Sequence, residues 1–197
     1  MKNVEGAPLF SAHTFCCREM CADDIPRLQQ FFDANPEYFF AVSGQGPNPD
    51  EARKEFEALP PAGWPFEKKW LLGFAGDDQS LVAMANVIAG LLADSVWHIG
   101  LFIVATPLHG GGTARFLYES LEMWMRRQGA RWSRLGVVEG NLRAVRFWEK
   151  AGYVDLRKRK VELGKQVNVV RVMAKPLTDG TLSEYLSLVS RDRPESP

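Results

Sequence analysis

The sequence predicts a mixed α/β domain, and three stretches carry that prediction. An apolar, β-branched run from Trp97 to Ala105 has the length of a buried strand. It breaks at Thr106-Pro107-Leu108, passes through His109-Gly110-Gly111-Gly112, and enters a segment in which Ala114, Leu117, Leu121 and Trp124 share one helical face. Two further runs, Lys68–Phe74 and Ser80–Ile88, read as a hairpin joined by the polar turn Ala75–Gln79. At 197 residues the chain fits one domain with an ample core, assigned to residues 1–177, followed by a tail at 178–197.

The remaining elements follow in order. His13–Arg18 alternates weakly and reads as a first strand. Asp23 or Asp24 caps a helix that tolerates Pro26 in its first turn and buries Ile25, Leu28, Phe31 and Phe32; Asn35-Pro36 stops it. Glu37–Gly46 is aromatic and then turn-rich, with no periodicity that names an element. A short helix runs from Pro49-Asp50 to about Leu59, before Pro60-Pro61. Beyond the long helix, Gly129 fits a C-cap and Arg134–Val138 reads as a strand. Asn141 is a good N-cap for a helix with the apolar stripe Ala144, Phe147, Trp148 and Ala151, closed by Gly152. A strand begins at Tyr153, and a last one spans Val167–Lys175. The tail has one weak helical patch, Leu182, Tyr185, Leu186 and Val189, and a Pro/Ser end expected to be disordered or frayed.

Composition excludes several classes of function. A net charge of zero argues against broad electrostatic capture of nucleic acid or of an anionic membrane. The longest apolar stretches, Leu81–Ala93 and Val96–Ala105, are too short to span a bilayer, and no signal-peptide pattern opens the chain. Cys16, Cys17 and Cys21 are odd in number and bunched, and with His13 they match no zinc spacing. Free thiols, no metal and a cytoplasmic location are therefore expected.

A strand, a glycine turn and a helix together suit a phosphate, because glycines let the backbone approach and the first-turn amides point at the anion. A P-loop would need Gly-Lys-Ser/Thr, whereas Gly112 is followed by Thr113-Ala114; a dinucleotide fingerprint from Gly110 would need glycine where Arg115 stands. The segment His109-Gly110-Gly111-Gly112-Thr113-Ala114 instead resembles the Gln/Arg-x-x-Gly-x-Gly/Ala turn of the GNAT acetyltransferase superfamily, with His in the first place. A second block, Asn141-x-x-Ala144 followed by Phe147-Trp148 and Gly152-Tyr153, is similar to that superfamily's other block, at the right distance. The resemblance covers Lys68–Leu177 well and Cys16–Phe66 only by order of elements.

The resemblance implies a twisted mixed sheet with two splayed central strands, helices on both faces, and acetyl-CoA in the splay. Its pyrophosphate would meet the amides from Gly110 through Gly111, Gly112 and Thr113 to Ala114, with His109 as a neighbour. Its pantetheine would pair with the backbone of Phe102, Ile103 and Val104, while Asn141, Ala144, Phe147 and Trp148 close the other side. The implied reaction is attack of a primary amine on the thioester, which needs a base because an alkylammonium has a pKa near ~10.4. Some relatives carry a glutamate base on this strand; here the candidate is His98, alternating onto one side with Gly100, Phe102 and Val104. Trp148 stands where a tyrosine acid is common, with Tyr38 and Tyr153 as substitutes. The acceptor, a small-molecule or peptide amine, is sought near Tyr38, Phe39 and Trp64. A homodimer is left open. The alternative is a non-catalytic acetyl-CoA-binding sensor or interaction module, supported by Trp148.

Overall fold

The computed structural model describes residues 7–163 and 166–196. Where one strand was expected over His13–Arg18 there is a hairpin, β1 (Phe10–Ala12) and β2 (Phe15–Glu19). His13, at φ 55°, turns the chain between them, so it belongs to neither strand. With β3 (Lys68–Ala75), β4 (Leu81–Ala89), β5 (Val96–Val104), β6 (Trp132–Val138), β7 (Val154–Leu163) and β8 (Gln166–Pro176) they form one sheet in the order β1-β2-β3-β4-β5-β6-β8-β7. All neighbours run antiparallel except β5 and β6, whose parallel pairing requires a long crossover.

Six α-helices flank the sheet among the described residues. One face is covered by α1 (Ile25–Ala34), α2 (Glu37–Ser43) and α3 (Glu51–Glu57), with Leu28, Phe32, Phe39 and Ala52 packed on Leu71, Met84, Leu101 and Ile103. The other is covered by α4 (Thr113–Arg127), which is the crossover, and α5 (Leu142–Lys150). There Leu117, Leu121, Trp124 and Trp148 meet Leu72, Phe74, Val87 and Ile99. A helical turn at Ala22–Asp24 precedes α1, and the Asp24 carboxylate accepts from the Cys21 amide (2.9 Å) rather than capping α1 itself. The irregular stretch after Pro36 is α2, two turns long, buried at Phe39 and ended by Gly44 at φ 72°. So short a helix shows almost no periodicity in its sequence.

The tail departs most from expectation. Its weak patch forms α6 (Leu182–Leu188), opened by a Thr181–Glu184 capping box, and the described residues beyond it, 189–196, fold into turns. A turn at Ser190–Asp192 drives Asp192 to zero exposure, where it accepts from Arg134 Nε (2.7 Å), Arg134 Nη2 (3.1 Å) and the Tyr185 hydroxyl (2.6 Å). Burial alone would raise the Asp192 carboxyl, yet the bonds from Arg134 and Tyr185 hold it below its ordinary value. Its contribution to stability is therefore present above the ordinary carboxylate pKa and lost as pH falls through the lowered one. Asp192→Ala leaves Arg134 buried without its partner, and denaturant unfolding at neutral pH should show a loss of about 3–5 kcal/mol.

Candidate active site

Two features of β5 open the site. It pairs with β6 only over Val96–Ile99, opposite Trp132–Leu135; from Gly100 onward it pairs with β4 alone. Opposite Val87 and Asn86 the register also slips, so that Ile99 and Leu101 find partners and Gly100 does not. This bulge reverses the alternation of side chains. Ile99, Phe102 and Val104 pack on the α4/α5 face, whereas Leu101 and Ile103 pack on the α1–α3 face. His98 consequently lies on the side of Leu101 and Ile103, and its expected alignment with Phe102 and Val104 is corrected. The wedge between the strands holds a cavity of about 240 Å³ beneath the glycine turn and one of about 750 Å³ toward β7. Phe102, Asn141, Ala144, Trp148 and Tyr38 line both.

The glycine turn is built for close approach. Gly110 (φ 84°) and Gly112 (φ 85°) hold left-handed backbone, and Gly112 begins α4 with no side-chain cap. The first amide of α4 bonded within the helix is that of Phe116, to the Gly112 carbonyl (3.1 Å). Among the described residues the amides from Gly110 to Arg115 have no acceptor, and they stand at the positive end of a 15-residue helix. Of the predicted cofactor residues, His109, Gly110 and Ala114 line the smaller cavity with Phe102, Ile103, Val104, Asn141, Ala144, Phe147 and Trp148. Gly111, Gly112 and Thr113 form the turn but do not line it.

His109 is a clasp between elements. Its Nε2 donates to the Val104 carbonyl (2.8 Å) and its Nδ1 accepts from Arg143 (3.0 Å), so that carbonyl is already engaged and the free strand edge lies before it. Asn35 and Glu37 tie the end of α1 to the same loop, through the Thr106 amide (2.7 Å) and hydroxyl (2.7 Å). The Thr106 bond, above all, holds the Glu37 carboxyl below its usual value. Asn141 caps α5 as expected, accepting from the Ala144 amide (3.1 Å). Since it also lines both cavities, Asn141→Asp should keep the cap, cost about 1 kcal/mol or less, and still weaken acetyl-CoA binding in calorimetry.

His98 is poorly placed to accept a proton. Its Nδ1 faces Arg134 Nη1 at 3.3 Å, and a guanidinium can only donate, so the lone pair is committed and Nε2 carries the hydrogen. Burial, then the Arg134 charge, push its pKa down to about 3. This leaves His98 no free lone pair for the expected base role, and it lines the larger cavity as a neutral imidazole. Tyr153 is excluded as an acid, because it is buried against Ser133 and Tyr118 away from the cavities. Trp148 closes an aromatic wall with Phe102, Phe147 and Tyr118.

Of the acceptor-site candidates, Trp64 lines the larger cavity and Tyr38 lines all three, whereas Phe39 is a core residue packed edge-to-face with Phe32 and touches only the third, of about 230 Å³. That third cavity exposes a group which the sequence did not single out. Glu55 lines it beside Gly100, Leu101 and Tyr38, and accepts a hydrogen bond from Asn86 Nδ2. Burial pushes its carboxyl up, against the pull of Asn86 and Lys69. Glu55 is one of 24 acidic residues and sits on a polar two-turn helix, so nothing in the sequence marks it.

A splayed strand pair flanked by open helix-terminal amides is a cradle for an anion carrying an amide-bearing arm, and comparison with known proteins names the family. The profile of the acetyltransferase (GNAT) family matches residues 20–153. The chain belongs to the GNAT acetyltransferase family, whose members use acetyl-CoA. No curated protein is significantly similar in sequence. Solved structures share the fold at low identity. A GCN5-related N-acetyltransferase from Kribbella flavida is 22% identical, with 84% of this chain and 99% of that one covered at a TM-score of 0.60. Spermidine N-acetyltransferase from Vibrio cholerae, in complex with CoA and spermine, is 15% identical (88% and 99%, TM-score 0.63). The ribosomal-protein-S18-alanine N-acetyltransferase of Escherichia coli is 13% identical (85% and 96%, TM-score 0.61). No helix among the described residues is long and apolar enough to cross a membrane.

Proposed function

We propose that this chain transfers the acetyl group of acetyl-CoA to a primary amine held in the larger cavity. The observation that carries the reading is the wedge itself: a strand edge free from Gly100 onward, ending beside the six open amides of Gly110–Arg115. Those amides and the start of α4 suit a pyrophosphate, and the free edge suits an amide-bearing arm. The Phe102, Phe147 and Trp148 wall keeps water from the thioester, which is the acetyl donor when bound.

Glu55 is the proton acceptor in this reading. It lies outside the larger cavity but lines the third one beside Tyr38, Gly100 and Leu101, which line the larger one too, so its raised carboxyl takes the proton from the ammonium through water. As the C–N bond forms and the C–S bond breaks, the departing thiolate takes a proton from Tyr38. Tyr38 lines both cavities, and burial raises its phenol, so it enters protonated and is a weak acid that assists a thiolate already stable enough to leave. Backbone amides at the β5 bulge are the donors for developing negative charge on the carbonyl oxygen. Thiol release from acetyl-CoA, followed with a panel of primary amines, tests the proposal. Amine-dependent release with formation of the N-acetyl product is expected, and binding of acetyl-CoA without transfer to any amine would leave a sensor module instead.

A further inference from the structure

The far end of the larger cavity is a cluster of guanidiniums with too few carboxylates. Arg157 and Arg159 on β7, Arg134 on β6 and Arg191 after α6 all line it, and no Asp or Glu is among the described residues that do. Behind the wall, Asp192 is engaged by Arg134 and Tyr185. Arg157 and Arg159 donate to the carbonyl of Arg191, and the Arg191 guanidinium lies 3.7 Å over the Trp64 ring. These contacts fix the fans but leave the buried Nε atoms of Arg157, Arg159 and Arg191 without acceptors among the described residues. Burial and mutual repulsion hold Arg159 and Arg191 below the usual guanidinium value. His98 lines the same cavity, with its Nδ1 accepting from Arg134.

Buried donors and like charges of this kind are unfavourable unless an anion answers them. Planar guanidiniums match the paired oxygens of a carboxylate or phosphate, and they repel a polycation. The cavity, about 750 Å³, runs from this cluster to Phe102, Asn141 and Trp148, which also line the acetyl-CoA cavity, and has the size of a small-molecule site. We infer that the acceptor is a small primary amine that also carries an oxyanion, a carboxylate or a phosphate, seated on Arg157, Arg159 and Arg191 while its amine faces the thioester. The inference rests on the acetyl-transfer reading above and adds the class of substrate.

Four amines test it with wild-type enzyme: L-glutamate, 2-aminoethyl phosphate, butylamine and spermidine, with thiol release as the readout. At least one anionic amine should exceed butylamine in kcat/KM by about 10- to 100-fold, as expected for charge-assisted hydrogen bonds, and spermidine should be poorest. Which anionic amine wins tells carboxylate from phosphate. Arg159→Gln and Arg191→Gln, measured separately, should erase most of that preference through KM, with the Kd for acetyl-CoA unchanged by calorimetry. Transfer that is indifferent to the anion, or favours spermidine, overturns the inference and leaves the acetyltransferase standing. Transfer to none of the four brings down the acetyl-transfer reading together with it.

Discussion

Aspartate in the glycine turn is expected to weaken acetyl-CoA binding by about a hundredfold. The amides of Gly110–Arg115 present partial positive charge to a pyrophosphate, and a carboxylate among them reverses the local field. Two like charges about 5 Å apart at an effective dielectric near 20 repel by about 3 kcal/mol, which is about a hundredfold in Kd. Where the aspartate stands decides what else is lost. At Gly112, with φ 85°, any side chain forces left-handed backbone, so Gly112→Asp should also lower the melting temperature. Gly111 has no positive φ, and a Cβ there meets nothing within 4 Å. Gly111→Asp should therefore weaken binding with its melting temperature preserved, and Gly111→Asn should retain most of the affinity. Equal binding by Gly111→Asp and wild type in calorimetry would remove the turn from the acetyl-CoA site.

The sequence was most legible where local chemistry and tertiary context agree. The β3–β4 hairpin, the β5–turn–α4 unit and the Asn141 cap each follow from periodicity, glycine or capping within about twenty residues. Its failures were of a different kind. The bulge at Gly100 depends on how β4 pairs across the sheet, and no residue on β5 other than the glycine hints at it. A single unpaired residue then moves His98 to the other face, which an unbroken alternation could not anticipate. The tail reads as frayed because it ends in Pro and Ser after a weak helical patch, whereas Asp192 is buried through Arg134, 58 positions earlier. The arginines of β7 alternate with lysines, Arg157-Lys158-Arg159-Lys160, which reads as an ordinary polar strand until the fold places Arg191 and Trp64 opposite them. Such long-range partnerships carry the chemistry of this site, and local pattern is blind to them.

Glu55→Gln should lower kcat by about 10²–10⁴-fold, the range for loss of a general base, with little change in the Kd for acetyl-CoA. Gln keeps the shape of the side chain and an acceptor for Asn86 Nδ2, so the pocket beside Gly100 is preserved. The pH dependence gives the sharper readout. Because burial raises the Glu55 carboxyl, the wild-type rate should climb as pH rises through that raised pKa, and the limb should be absent in the variant. His98→Ala should keep the limb, since His98 titrates far lower, near 3, and its lone pair faces Arg134. Stability supplies an independent check on the sign. A carboxyl whose pKa is raised by folding contributes most stability below its unfolded value and loses that contribution as pH rises through the folded one. Above that raised pKa the ionised Glu55 is a burden on the fold, and there Glu55→Gln should melt at or above the wild-type temperature while turning over far more slowly. A residue that merely supported α3 would show the opposite pattern, a lower melting temperature with kcat little changed. An acid limb that persists unaltered in Glu55→Gln would assign the proton to another group.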